Sequence, residues 1–301
     1  MKQPIDQLSW LEFLKNSKGR KEYPKKVDKY NRLIAHSKNF FVISGYGAFT
    51  DGYMLIISKE FIPSYGLIEN DQKEELFFLV SQLKNIIKNE LSRKSVVFEH
   101  GMCACIGGLD RAHLHVMSMS PRTSEKSLIK AINATLYDRK AGIKHILYNN
   151  YKLENIHDIN HIYESLEKEG SNSDINVVGK IYDLKDIKNL DEKNWPLVTL
   201  DHIKKGSHYV YFKSDYDNSS FLTTHNFQTQ FGRQVVFNNE LYLEESFKEI
   251  VTNLNISEVW KWQNSMFEEN ILHTMKIAKN GFLELCKISN EDFSKYEIEI
   301  C

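Results

Sequence analysis

The sequence predicts an α+β fold, in which an antiparallel sheet packs against one long helix and is followed by a mixed α/β C-terminal elaboration. Three observations support this class. Four short β-rich segments lie between residues 40 and 117, one long amphipathic segment separates them into two pairs, and helix and strand patterns alternate after Pro121. The order β-β-α-β-β is typical of a sheet that carries its helix on one face.

The composition restricts the class of protein before any motif is considered. With 42% hydrophobic and 12% aromatic residues, a chain of 301 residues has enough apolar surface to form a core, which excludes global disorder. Its mean hydropathy of -0.44 and the shortness of its apolar runs argue against membrane-spanning helices.

The charge balance makes an overall attraction to polyanions unfavourable. The chain has 39 basic and 40 acidic residues, so an anionic ligand would have to be bound by local groups. The N-terminus lacks the basic-then-apolar layout of a secretion signal, and the four cysteines form no C-x-x-C pair. We therefore expect a cytoplasmic protein with reduced thiols.

The first 32 residues are expected to form a short N-terminal helix and a basic connector. Seven basic and two acidic residues lie between Lys15 and Lys29. A solvated connector is one interpretation of this run, and contact with phosphate or nucleic acid is the other.

Two strands and a helix are predicted next. Residues 40–44 and 53–58 are rich in β-branched and aromatic side chains and are separated by a turn that contains Gly, Thr and Asp. A helix then begins at Asn70 or Asp71, where Glu74 would complete a capping box with Asp71. Apolar residues recur at helical spacing as far as Leu91.

Two more strands, at 95–99 and 111–117, complete a predicted domain that spans residues 33–122, and they flank a Gly- and Cys-containing loop. Residues 123–301 are predicted to form a C-terminal lobe. Its expected elements are helices at 124–140, 156–168, 244–254 and 266–278 and a strand at 208–212.

The predicted strand at 111–117 contains the side chains that indicate a chemical function. Its period of two places Arg111, His113 and His115 on one face and apolar residues on the other. Two imidazoles and a guanidinium beside a glycine-rich loop suit a phosphoryl group, which backbone N–H groups and Arg would hold while a neutral His attacks phosphorus. Three alternatives stay open: half of a metal site, structural histidines, and a binding pocket without catalysis.

This segment also resembles a known family. The run Gly107-Gly-Leu-Asp-Arg-Ala-His-Leu-His-Val resembles the His-φ-His-φ-His-φ-φ motif of the histidine-triad (HIT) superfamily of nucleotide hydrolases and transferases. Asp51-Gly-Tyr-Met-Leu-Ile-Ile-Ser-Lys and Phe98-Glu-His-Gly resemble further segments of its longer bacterial branch. The similarity extends over about residues 33–121, in the family's order and with its long helix between, and implies a HIT-like antiparallel sheet.

The resemblance implies roles for individual residues. His113 would attack the α-phosphate of a nucleotide conjugate and form a nucleotidyl-histidine, while His115 would support the pocket and the leaving group. Gly107, Gly108 and Asp110 would belong to the phosphate-binding loop. Such a reaction needs no redox cofactor and no metal, and the resemblance allows a homodimer.

The sequence departs from the family pattern at two positions that normally hold histidine. Arg111 occupies the first triad position and Tyr53 follows Gly52 where the family has Gly-His. Arg111 can bind phosphate but cannot act as an acid or base near neutral pH. His100 is the candidate for a compensating imidazole, with a structural hydrogen-bonded residue as the alternative.

Looser similarity to the same branch continues in the C-terminal region. Arg233 lies in one of these segments and could reach a phosphate or a base from the second lobe; the alternative is a solvated polar face of a helix. Trp260 and Trp262 could stack on a base or serve in packing.

Three functions follow as expectations. The first is an enzyme that hydrolyses a nucleotide conjugate, or transfers its nucleotidyl group, at the α-phosphate; the second is a catalytically inactive nucleotide-binding module. The third, processing of nucleic-acid ends, conflicts with the neutral net charge. The expected partner is therefore a nucleotide or nucleotide conjugate.

Overall fold

A computed structural model of the chain describes its sheet and the helices that cover it. The described residues are 32–60, 62, 64–101, 112–124, 126–128, 131, 135, 181–183, 209–214, 219–223, 230–254 and 258–301. The predicted basic connector, the predicted helix at 156–168 and the predicted phosphate loop, with Gly107, Gly108, Asp110 and Arg111, lie outside these residues.

One antiparallel sheet of nine strands forms the centre of the described part of the molecule. The strands in chain order are β1 Leu33–His36, β2 Phe40–Ser44, β3 Met54–Ser58, β4 Lys94–Gly101, β5 His113–Met119, β6 Ile181–Asp183, β7 Tyr209–Ser214, β8 Ser219–Thr223 and β9 Glu299–Ile300. They lie side by side in the order β6-β8-β7-β4-β5-β3-β2-β1-β9.

Five helices whose bounds are described accompany the sheet, and residues 126–128, 131 and 135 are also helical. The five helices are α1 Asn70–Leu91, α2 Phe231–Leu243, α3 Glu245–Leu254, α4 Glu268–Ile288 and α5 Asn290–Lys295, together with short 3-10 turns at Tyr65–Leu67 and Trp262–Asn264. The predicted α+β class, with an antiparallel sheet and packed helices, is confirmed. No helix in these ranges combines the length and the apolar character that crossing a membrane requires.

Helix α1 begins where its N-terminal N–H groups find side-chain acceptors. The capping box is formed by Glu69 and Gln72, so the predicted pair of Asp71 and Glu74 is wrong by two residues. The helix ends at Ser92, whose left-handed backbone, with φ of 52°, stops the helical repeat. Its apolar stripe packs on one face of the sheet. The stripe consists of Leu76, Leu79, Leu83, Ile86 and Ile87.

Strand β5 lies in the middle of the sheet and is buried on both faces. Leu114 and Val116 pack in the cluster under α1, whereas Met117 and Met119 pack in the opposite cluster, which includes residues of α2. The strand begins at His113, two residues later than predicted, so its histidines lie at the end that faces the segment 102–111.

Strands from both sides of residue 122 belong to the same sheet. Strand β7 pairs with β4 over six positions, from Val96 opposite Ser214 to Gly101 opposite Tyr209. The C-terminal region therefore extends the sheet next to the strand that carries His100.

Several elements differ from the sequence prediction, which lacks the short strands β1, β6, β8 and β9 and the helices α2 and α5. Two of the differences have a clear physical reason. Strand β1 was not predicted, because its four residues are too short to show a period, and it forms by pairing with β2 and β9. Helix α4 continues to Ile288 instead of ending at residue 278. Gly281, normally a sign of a helix end, lies inside α4 because a Cβ there would be 2.6 Å from Ile86 of α1.

Candidate functional site

The strand pair β4–β5 brings three predicted imidazoles together. Phe98 lies opposite His115 and Glu99 opposite Leu114, so His100 and His113 follow at the end of the pair. The ring centroids are 4.9 Å apart for His113 and His115 and 6.2 Å apart for His100 and His115. Residues 102–111, which contain the predicted phosphate loop, connect the two strands at this end.

His115 lies next to two aromatic rings. The Phe98 ring stacks on it with centroids 4.4 Å apart and planes inclined by 11°, and the Tyr53 ring is nearly parallel at 5.9 Å. The Tyr53 hydroxyl lies 2.8 Å from Nδ1 of His115. Burial, and then the charges of His113, His100 and Arg233, hold the pKa of His115 well below its ordinary value. His115 is therefore uncharged at neutral pH.

The aromatic stack extends over four neighbouring positions of the sheet. Phe212 of β7 lies parallel to Phe98 of β4, with centroids 5.7 Å apart, and Phe98 is followed by His115 of β5 and Tyr53 next to β3. Parallel offset rings gain free energy beyond their buried area. The stacked Phe98 ring restricts the plane of the His115 ring.

His113 occupies the neighbouring position on the same face of β5. It lies opposite Ile57 of β3 and is 7% exposed, close to the 9% of His115. The sequence predicted that these two histidines share a face, and their rings are adjacent. Only Ala112 separates His113 from the segment 102–111 along the chain.

His100 contacts the start of helix α2. The backbone N–H of Gly232 donates to Nε2 of His100 at 3.4 Å, and this N–H is one of those that a helix leaves without an intrahelical acceptor. Burial, with a smaller contribution from the charge of His113, lowers the pKa of His100 to about 3. Near neutral pH the imidazole is uncharged and a weak base.

Arg233 is buried instead of lying on a solvated helix face, so that alternative is wrong. It is 2% exposed, and its guanidinium Cζ lies 5.0 Å from the centroid of the Tyr53 ring. The charge of Arg233 lowers the pKa of Tyr53, although burial raises it more. The acceptors of its N–H groups are the carbonyl groups of Trp260 at 2.9 Å, Tyr46 at 3.3 Å and Gly47 at 2.6 Å and the Ser265 hydroxyl at 3.0 Å.

Tyr53 is the site residue whose role the sequence analysis missed, since the resemblance marks it only as a departure from an expected histidine. The preceding Gly52 has a φ of +74°, which favours glycine, and its N–H donates to the Thr274 hydroxyl at 2.9 Å. Asp51 pairs with His273 at 3.2 Å. Helix α4 therefore holds the loop that places Tyr53 against His115.

The described residues contain no group of three or more His, Cys, Asp or Glu side chains that could hold a metal ion. The metal interpretation of His113 and His115 therefore gains no third ligand from this part of the chain. The phosphate-binding roles of Gly107, Gly108, Asp110 and Arg111 stay predictions, because these residues lie outside the described ranges.

Comparison with known proteins gives a weak structural match. No protein-family model matches the sequence, and no curated protein sequence matches it. Among solved structures, yeast Ap4A phosphorylase Apa2 in complex with Ap4A is similar at a TM-score of 0.31 and 9% identity, over 61% of this chain and 56% of that chain. The same enzyme in complex with AMP is similar at a TM-score of 0.30 and 9% identity, over 61% of this chain and 55% of that chain. The match thus spans little more than half of the yeast enzyme, and a similarity this low supports no conclusion about activity.

Proposed function

We propose that the protein is a nucleotide hydrolase or nucleotidyltransferase that acts at the α-phosphate of a nucleotide conjugate through a nucleotidyl-His113 intermediate. The juxtaposition of His113, His115 and His100 at the end of β4 and β5 is the observation that carries this proposal. The segment 102–111, with its glycines and Arg111, starts from the same end of the strand pair.

The proposed reaction has two steps. A lone pair of the His113 ring attacks the α-phosphorus, and the bond to the leaving group breaks with its electron pair on the leaving atom. Water or another acceptor then attacks phosphorus, the phosphorus–nitrogen bond breaks, and the electron pair returns to His113. The proton that the acceptor loses passes to solvent, from which the released leaving group takes up any proton it needs. Gly107, Gly108, Asp110 and Arg111 would hold the phosphoryl group, since backbone N–H groups and a guanidinium match phosphate oxygens.

Arg233 receives a different role from the one the sequence suggested. Its N–H groups donate to three carbonyl groups and a hydroxyl, which ties the start of α2 to the segments around Gly47 and Trp260. We therefore assign it to the support of Tyr53 and His115, and we leave phosphate contact to the segment 102–111.

Turnover of a substrate panel tests the proposed function. Diadenosine polyphosphates, nucleotide sugars and nucleoside phosphoramidates are incubated with the full chain in a chelator, and release of nucleoside monophosphate is measured. We expect release by the wild type and by His36→Gln, a control that removes an imidazole from the distant strand β1, but not by His113→Ala. Activity that requires added Zn²⁺ would instead make His113 and His115 metal ligands.

A catalytically inactive nucleotide-binding module is the second candidate, and a specific observation favours it. The pKa values of His100 and His115 are lowered, so neither imidazole is charged near neutral pH. In addition, Arg111 stands where the resemblance would place a histidine. Nucleotide binding without turnover of any panel substrate, with equal binding by wild type and His113→Ala, would support this candidate.

A further inference from the structure

The surroundings of the Tyr53 hydroxyl favour one direction for its hydrogen bond with His115. Tyr53 is 2% exposed and His115 is 9% exposed, so neither group is solvated as in free solution. A buried hydroxyl group requires an acceptor for its proton. Nδ1 of His115 lies 2.8 Å from the Tyr53 hydroxyl, and the Arg233 side chain, which also interacts with this hydroxyl, can only donate.

The nearby cation favours the same direction. The Arg233 guanidinium lies over the Tyr53 ring and carries a permanent positive charge. Such a charge attracts the oxygen lone pairs and repels the hydroxyl hydrogen, which therefore points away from Arg233 and toward Nδ1 of His115. Since Nδ1 accepts, the single ring proton of neutral His115 lies on Nε2.

We propose that Tyr53 is a positioning residue that fixes His115 as the neutral Nε2–H tautomer, so that His115 acts on the bound phosphoryl or leaving group as a hydrogen-bond donor and not as a proton source. The second part rests on the proposed function, whereas the tautomer itself does not. The stacked Phe98 ring keeps the imidazole plane in place, and the hydrogen bond to Tyr53 fixes the ring within that plane. Tyr53 thus takes over the orientation of an imidazole at the position where the resemblance would place a histidine.

The groups that face His115 agree with a neutral donor. They are the imidazoles of His113 and His100, the guanidinium of Arg233 and the hydroxyl of Tyr53; the partners on β4 and β3, Phe98 and Leu55, are apolar. No carboxylate is among the described neighbours that influence its charge. Protonation of His115 would place a second positive charge near Arg233 without a compensating anion.

Nuclear magnetic resonance of the ¹⁵N-labelled full chain tests the tautomer directly. Long-range ¹H–¹⁵N correlation distinguishes the Nε2–H, Nδ1–H and protonated forms of histidine, and His115→Gln assigns the resonances. We expect the Nε2–H form of His115 in the wild type between pH 8 and pH 5. An Nδ1–H or protonated His115 in the wild type overturns the proposal without recourse to any variant.

Tyr53→Phe keeps the stacked ring and removes only the hydroxyl. We expect its His115 to show a mixture of tautomers or to become protonated within the same pH range. Tyr65→Phe is the matched control, because Tyr65 is also buried and its hydroxyl donates to the Ile56 carbonyl at 2.7 Å, away from His115. An unchanged Nε2–H form in Tyr53→Phe contradicts the proposal.

Kinetics separate this inference from the proposed function. If the wild type turns over nucleotide conjugates, Tyr53→Phe should lower kcat by about 10- to 100-fold with little change in KM. The reason is that a misplaced His115 loses mainly the hydrogen bond that it donates in the transition state. A change in KM alone would exclude the donor role. If the wild type has no turnover, the proposed function fails, while the tautomer spectrum still decides the role of Tyr53.

Discussion

The two faces of strand β5 are both buried, yet they are stabilised in different ways. Under α1, Leu114 and Val116 join an apolar cluster of aliphatic and aromatic side chains, and these two side chains make no hydrogen bond. On the opposite face, His115 lies in a stack of rings and is hydrogen-bonded to Tyr53, next to the buried Arg233. Burial therefore does not distinguish core from site here; the need for directed contacts does.

Adjacent substitutions on the two faces provide the strongest test of this difference. We expect His113→Ala to reduce turnover by at least about 10³-fold, because it removes the proposed nucleophile, with a small change in stability. Leu114→Ala should lower the free energy of unfolding by about 2–5 kcal/mol, since it leaves a cavity under α1. The folded fraction of Leu114→Ala should retain its specific activity.

Urea unfolding and substrate turnover, measured on both variants, check this pair. If the two variants lose stability equally and turnover equally, the faces of β5 do not differ in function. A stable but inactive Leu114→Ala would indicate that the reaction depends on the face of β5 under α1, which would contradict the proposed site at His113 and His115.

Arg233 and Arg122 allow the same comparison for charged groups. Arg233→Met should lower the free energy of unfolding by about 3–5 kcal/mol, because one buried and two partly buried carbonyl groups and a buried hydroxyl lose their donor. Arg122→Met should have little effect, since Arg122 is 61% exposed and pairs with Glu244 in solvent. Chemical denaturation of both variants measures the difference, and equal losses would contradict it.

The sequence predicts the apolar face of β5 under α1 better than the opposite face, which carries His113 and His115. Helix α1 and strands β2 to β5 follow from local periodicity, and period two alone places His113 and His115 on one face. Tyr53 and Arg233 could not be assigned in this way, because their partners lie far along the chain: Tyr53 is 62 residues from His115 and Arg233 is 186 residues from Gly47. No local pattern encodes such contacts.

Burial of His100 should make the protein less stable in acid. Its pKa is about 3 in the folded chain against 6.5 for the free side chain, so between these values the unfolded state binds a proton that the folded state does not. This contribution to stability is complete above pH 6.5 and decreases as the pH falls, by about 1–2 kcal/mol between pH 7 and pH 5.

His100→Gln tests this linkage, because glutamine keeps a side-chain acceptor for the Gly232 N–H but does not titrate. Urea unfolding of both proteins at pH 7, 6 and 5 should show a shallower decrease for the variant. Parallel decreases would show that His100 does not cause the acid sensitivity, and would make the more buried His115 the next group to test.

The smallest change in stability is expected in the apolar cluster under α1, where helices α1 and α4 cross. A Cβ at Gly281 would lie 2.6 Å from Ile86, so Gly281→Ala forces this contact apart at a cost of about 1–3 kcal/mol. Alanine also favours the helix by about 1 kcal/mol relative to glycine, which offsets part of this cost. Thermal unfolding should therefore show a small net loss of stability. Asn280→Ala, at an exposed position of the same helix, gains helix propensity without the contact and should be neutral or stabilising. If Gly281→Ala were as stable as Asn280→Ala, the close approach of α1 and α4 would not explain why a glycine lies within this helix.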